Sequence, residues 1–243
     1  MRLLVSVRDA SEARAALAGG AEIIDAKEPG AGALGPVAAA MLRDIHAAVP
    51  AAIPCSAALG DVTSPADVAR ALGAVDVPLS FVKLGFRGIT DPFQVHTVLT
   101  AAVAAARGRP GAPQIVAVAY ADQGHMQSLA PAAFPAIVRA AGVAGLLVDT
   151  GGKDGGDLFT HETPDALFAL AQQLGEGGAF LALGGSLTLS RFPLALRTGA
   201  VIVGVRGAAS TGGRNGKVEE TRVRQLRDGL KERSVVPRPL VSL

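Results

Sequence analysis

Residues 22–32 read EIIDAKEPGAG. A β-branched apolar run gives way to Asp25 and Lys27, then to a Pro/Gly turn, and an Ala-rich helical stretch, VAAAMLRDIHAAV (37–49), follows. The same unit recurs along the chain. Apolar runs stand at 2–7 (RLLVSV), 22–27 (EIIDAK), 53–59 (IPCSAAL), 81–86 (FVKLGF), 114–120 (QIVAVAY), 145–150 (GLLVDT), 179–185 (AFLALGG) and 201–207 (VIVGVRG), each followed by a loop and a helical stretch. Near-continuous apolar strands alternating with helices indicate a parallel sheet covered by those helices. Eight units in about 250 residues predict a single α/β domain over 1–243, a (β/α)8 TIM barrel. A doubly wound sheet would show fewer strands and a glycine fingerprint after the first, where this chain has VRDASEA. Ser11 and Ser64 are placed as helix N-caps, and Pro65 and Pro164 as first-turn prolines.

Composition narrows the function. A formal net charge of +2, one tyrosine (Tyr120) and no tryptophan offer neither a basic field nor stacking platforms, so no nucleic-acid partner is expected. The single cysteine, Cys55, excludes an internal disulfide and reads as a small core residue. No cationic leader and no apolar run of roughly 20 residues is present, which predicts a soluble cytoplasmic protein without a membrane partner. His46, His96, His125 and His161 are scattered and show no metal-ligand spacing. The Ala-rich, weakly charged helices suggest a homo-oligomer. The stretch KVEETRVRQLRDGLKER after the eighth run reads as a helix with a solvated, mixed-charge face.

In a barrel of this kind, chemistry sits at the C-terminal ends of the strands. Side chains two apart on a strand share a face, so Asp25 and Lys27 point the same way. Lys83 shares a face with Phe81 and Gly85 in the fourth strand, Asp149 ends the sixth, and Lys153 follows in the Gly-rich loop of LLVDTGGKDGG. Each strand-end lysine taken alone is equally well explained by a buried ion pair. Three of them converging on one mouth favour chemistry, because desolvation and like-charge repulsion make one lysine neutral and nucleophilic towards carbonyls. The last two strands end in LALGGSLT and VGVRGAAS. Gly184, Gly185, Ser186, Arg206 and Gly207 are therefore candidates to hold a phosphate, and Asp122, at the rim after the fifth strand, is a candidate substrate contact.

These residues also carry a resemblance. The pattern LLVSV…EA..AL.GGAEIIDAKEP…G.LG, with FVKLGF, VAYAD, LLVDTGGKDGG, LALGGSL and VRGAAS…GRNGKV, resembles the (5-formylfuran-3-yl)methyl phosphate synthase family over nearly the whole chain. Glu28 and GALGPVA depart from that family's usual Asn and GSLGAN in the loop after the second strand. The resemblance implies a TIM-barrel lyase of methanofuran-type cofactor biosynthesis. Such an enzyme condenses two glyceraldehyde 3-phosphate molecules into a furan aldehyde phosphate, with loss of phosphate and water. It implies that Lys27 forms the Schiff base, that Lys83 accepts the proton, and that Asp25, Asp149 and Lys153 complete the active site. No metal or other cofactor is expected, since an iminium does the polarising a metal does in other aldolases. A class I aldolase or another phosphate-binding barrel enzyme, or a non-catalytic barrel that binds a phosphorylated metabolite, remains as the alternative.

Overall fold

The computed structural model describes residues 1–152 and 156–234. Strands β1 Arg2–Val7, β2 Ile23–Ala26, β3 Cys55–Asp61, β4 Phe81–Gly85, β5 Gln114–Tyr120, β6 Gly145–Asp149, β7 Phe180–Leu183 and β8 Ile202–Val205 pair in parallel in chain order. Arg2 to Val5 of β1 lie in register with Ile202 to Val205 of β8 and close the barrel. Around it run α1 Ala10–Ala18, α2 Ala39–Ala48, α3 Pro65–Gly73, α4 Pro92–Ala106, the one-turn α5 Gln123–Met126, α6 Phe134–Ala141, the one-turn α7 Leu158–His161, α8 Pro164–Glu176, the one-turn α9 Phe192–Ala195 and α10 Glu220–Ser234. A hairpin of β9 Ser210–Thr211 and β10 Lys217–Val218 lies between β8 and α10.

Strand alternation sorts the residues into two cores. Leu3, Val5, Val7, Ile24, Val82 and Leu84 face outward onto helix residues such as Ile45, Leu72, Val95 and Leu99. Inside the barrel, Ile23, Ala58, Val116, Leu147, Ala182 and Ile202 form a second apolar cluster. Phe81 and Phe180 meet edge to face there, with ring centroids 5.7 Å apart, a favoured aromatic geometry.

Several boundaries differ from the sequence expectations, each for a local reason. The cap of α1 is Asp9, not Ser11: its extended backbone brings the carboxylate over the first turn, where it accepts from the Glu12 N–H at 2.8 Å. Ser64 caps α3, and Pro65 and Pro164 stand in first turns as expected. Strand β3 starts at Cys55 rather than Ile53, since Pro54 has no N–H for the ladder, and runs on to Asp61 across a register shift. The stretch TLSRFPLALRTG, expected as a full helix, forms a 3-10 turn and the single turn of α9 before Gly199 turns the chain at φ +73°. The stretch at 217–233 begins as β10, and its helix buries Val223, Leu226 and Leu230, so only one face of α10 is solvated.

A buried ion pair ties the ends of the barrel together. Glu12, in the first turn of α1, has no exposed surface, and the Arg206 guanidinium after β8 grips both of its carboxylate oxygens. The Arg8 N–H adds a hydrogen bond of 3.0 Å to Glu12. Removing one partner leaves the other buried and uncompensated, which costs about 3–5 kcal/mol. Glu12→Ala is therefore expected to lose about 3–5 kcal/mol of stability in urea unfolding, and Glu12→Gln, which keeps one acceptor but no charge to balance Arg206, a smaller part of it.

Candidate active site

At the C-terminal end of the strands lies a cavity of about 270 Å3. Its floor is the apolar interior just described, including Leu4, Ile23, Phe81 and Phe180, and its upper wall carries Lys27, Lys83 and Asp149. The structure thus brings together Lys27 from the end of β2, Lys83 from β4 and Asp149 from β6. Lys153 lies outside the described residues.

Asp25 sits behind the lysines and is fully buried. One carboxylate oxygen accepts from Ser6 Oγ at 2.8 Å and Lys83 Nζ at 2.6 Å, and the other from Ser56 Oγ at 2.7 Å. These donors come from β1, β4 and β3, so four neighbouring strands meet on one carboxyl group. Burial alone would push its pKa up. The charges of Lys83 and Lys27, with the hydrogen bonds from Lys83 and Ser56, outweigh burial and hold the carboxyl below its usual range. Asp149 is buried at the end of β6 and accepts from the Thr150 N–H at 2.8 Å. Gly184 backs it: a Cβ at that position would stand 3.0 Å from the Asp149 carboxyl carbon.

The glycine turns of β7 and β8 border the same cavity through Gly184, Gly185, Ser186 and Gly207. Gly185 and Ser186 are both left-handed, at φ +88° and +55°. A hydroxyl residue held in that region is uncommon, and strain of this type collects at functional turns.

Two of the sequence candidates have other work in the structure. Arg206 borders the cavity, but its five N–H groups go to Glu12, to the carbonyls of Ser6, Arg214 and Gly216, and to no open direction. Asp122 does not line the cavity. Its two oxygens accept from the Gly151 and Gly152 N–H groups at 2.8 and 2.7 Å, fixing the chain just before Lys153.

Sequence reasoning missed three groups. Ser6 and Ser56 hold Asp25 in place; both alternate inward on their strands, and that phase was the available signal. Arg214 lines the cavity from the β9–β10 hairpin, and only the GRNGKV motif pointed at it. Tyr120, inside the barrel, donates to Asp61 at 2.7 Å, where burial and the nearby Asp61 charge push its pKa well up. Cys55 is buried on the outer side of β3, and burial, followed by the Asp25 charge, pushes its thiol up to about 12. Among the described residues no group of His, Cys, Asp and Glu gathers in a metal-binding arrangement, and no helix is long and apolar enough to cross a membrane.

Fold and site together define a closed (β/α)8 barrel with a lysine–carboxylate cluster at its C-terminal mouth, where barrel enzymes carry their chemistry. Residues 3–227 match the 4-HFC-P synthase family model, and the chain belongs to that family of synthases. It is 34% identical over 232 residues to the (5-formylfuran-3-yl)methyl phosphate synthase of Methanocaldococcus jannaschii, covering 94% of this chain and 99% of the relative. Identity to the same-named protein of Methanococcus maripaludis is 35% over 230 residues, 93% of this chain and 98% of the relative. Among solved structures, phosphoribosyl anthranilate isomerase of Thermotoga maritima superposes with a TM-score of 0.65 at 12% identity, over 96% of this chain and 99% of that one. That likeness speaks to the fold alone.

The Asp25 carboxyl gives a pH prediction. Its folded pKa lies below the unfolded value of about 3.9, so its contribution to stability is complete above that value and fades as pH falls through the lower, folded one. The stability difference between the native protein and Asp25→Asn, read from urea midpoints, is expected to be constant near neutrality and to shrink below about pH 4. The Cys55 thiol is expected to resist aromatic disulfide reagents in the folded protein and to react once the chain is unfolded.

Proposed function

We propose that the protein is a lyase that condenses two glyceraldehyde 3-phosphate molecules into (5-formylfuran-3-yl)methyl phosphate, through a Schiff base on Lys27, in methanofuran-type cofactor biosynthesis. The product is the one named for the relatives in Methanocaldococcus jannaschii and Methanococcus maripaludis. The observation that carries the reading is the placement of Lys27 and Lys83 on one cavity around a single buried carboxylate.

Lys27 and Lys83 both act on the Asp25 carboxylate and both reach the cavity. Lys27, which lines the cavity just after β2, is the nucleophile, and Lys83, bonded directly to Asp25, is the proton acceptor. One triose phosphate is isomerised to its keto form, or binds as such, and Lys27 captures its C2 carbonyl and expels water, giving an iminium. Lys83 takes the C2 proton of the second triose phosphate, which expels its phosphate from C3 and becomes the enol of pyruvaldehyde. The C3 carbon of that enol attacks the iminium carbon, which gives the branched skeleton that this furan requires. The hydroxymethyl oxygen of the first triose closes the ring on the C2 ketone of the second, and loss of water and of the Lys27 amine gives the furan and frees Lys27.

Asp25 stays ionised and stabilises the cations at Lys27 and Lys83, which is a more specific part than proton shuttling. Asp149, from the opposite wall, and Lys153 move protons in the later eliminations. Gly185, Ser186 and Gly207 offer backbone N–H groups to the phosphate that stays attached, and the apolar floor accepts the flat ring as it forms.

Borohydride added with glyceraldehyde 3-phosphate is expected to leave a reduced adduct on Lys27, mapped by mass spectrometry. Lys27→Ala should form none and produce no furan absorbance while keeping its melting temperature within a few degrees. Lys83→Met is expected to lower turnover by about 10²–10⁴-fold. An adduct on Lys83 would reverse the two lysine roles, and the absence of both adduct and furan would falsify the lyase reading.

A further inference from the structure

Arg206 cannot offer its charge to a ligand, yet it determines where another charge stands. Its guanidinium, anchored on Glu12, donates to the backbone carbonyls of Arg214 at 3.0 Å and Gly216 at 2.7 Å. It thereby holds residues 212–216, the turn of the β9–β10 hairpin, against the top of β8. The turn has little freedom of its own. Gly212 and Gly213 are left-handed, at φ +73° and +77°, and a Cβ on Gly216 would stand 1.5 Å from the Thr211 carbonyl oxygen.

From this mount the half-buried Arg214 side chain lines the cavity together with Lys27 and Asp149. Among the described residues, the hydrogen bond its guanidinium makes runs along the rim, past β1, to the Gly32 carbonyl in the loop after β2. That bond is exposed and exchangeable. Burial lowers the Arg214 pKa, the nearby Asp149 charge raises it and Arg206 lowers it, and a guanidinium remains charged throughout.

The condensation brings two phosphates to one cavity. The β7 and β8 turns suit one of them. Lys27 is committed to carbon and Lys83 to Asp25, so the second phosphate needs another cation on the β1–β2 side. We propose that Arg214 is that cation: a substrate-binding, specificity-determining residue whose guanidinium fork holds the second triose phosphate, with Arg206 and Glu12 as the residues that position it. The fork presents paired N–H groups that match a phosphate face, and a bridge between the β8 hairpin and the β2 loop draws the mouth together over the substrate.

This inference rests on the two-phosphate condensation, and the test separates the two. Arg214→Ala removes one exposed hydrogen bond and should melt, without phosphate, at the native temperature. Its KM for glyceraldehyde 3-phosphate is expected to rise about tenfold or more, and its thermal stabilisation by inorganic phosphate to fall. Arg214→Lys, which keeps charge but loses the fork, should recover part of both. A KM within about twofold of native, or undiminished stabilisation by phosphate, overturns the proposal. The positioning part has its own readout: Glu12→Gln should raise KM in the native background and add nothing in Arg214→Ala, whereas additive effects would refute the mount. If the native protein traps no adduct on Lys27, the condensation fails as a reading, and the phosphate-stabilisation arm still decides whether Arg214 binds an anion.

Discussion

Burying a carboxylate without water is costly unless donors meet its oxygens and a cation balances its charge. Asp25 meets both conditions with groups that neighbouring strands bring together: Ser6 of β1, Ser56 of β3 and Lys83 of β4. The register of these strands follows from that demand. Ser6 lies beside Asp25, and Asp25 beside Ser56, in the β1–β2 and β2–β3 ladders. A slip of one residue would turn Asp25 towards the helices and leave Lys83 unpaired inside the barrel. Register and site chemistry are thus the same constraint, and the lysine above Asp25 inherits its position from it.

The two halves of the mouth are made differently. Strands β1 to β4 carry charge on side chains locked by one another. Strands β6 to β8 carry small residues that expose backbone, with Gly184 giving room to Asp149 and Gly185 and Ser186 turning the chain. Covalent chemistry with a carbonyl needs a held nucleophile, and phosphate binding needs accessible N–H groups. The division of residue types around the barrel matches the division of labour proposed for it.

Much of this was legible in the sequence because it depends on period. Alternating strands and intervening helices predicted the barrel, and the two-residue spacing of Asp25 and Lys27 predicted a shared face. What sequence could not supply was side-chain commitment. Arg206 at a strand end reads as a phosphate ligand until Glu12, nearly two hundred residues earlier in the chain, is seen to occupy it. Glu12 lies on the buried face of α1 with Ala13 and Ala16, so its phase marked it as inward, but its partner is set by barrel closure. Asp122 is similar: a rim carboxylate whose two oxygens are taken by the Gly151 and Gly152 amides. The short α9 and the late start of β3 after Pro54 were hidden because local proline and glycine geometry overrode helix and strand propensity there.

Closure of the barrel and completion of the mouth are coupled through the Glu12–Arg206 pair. Glu12 is presented by the helix that follows β1, and Arg206 by the chain that leaves β8, so the pair forms only when the last strand docks on the first. The same guanidinium then fixes the hairpin carrying Arg214, which reaches the loop after β2. A chain with β8 undocked would hold Asp25 and its lysines yet have an open, incomplete rim. Spending a fully buried ion pair at the seam, where hydrophobic side chains of similar volume would serve stability as well or better, makes physical sense if its return is the geometry of that rim.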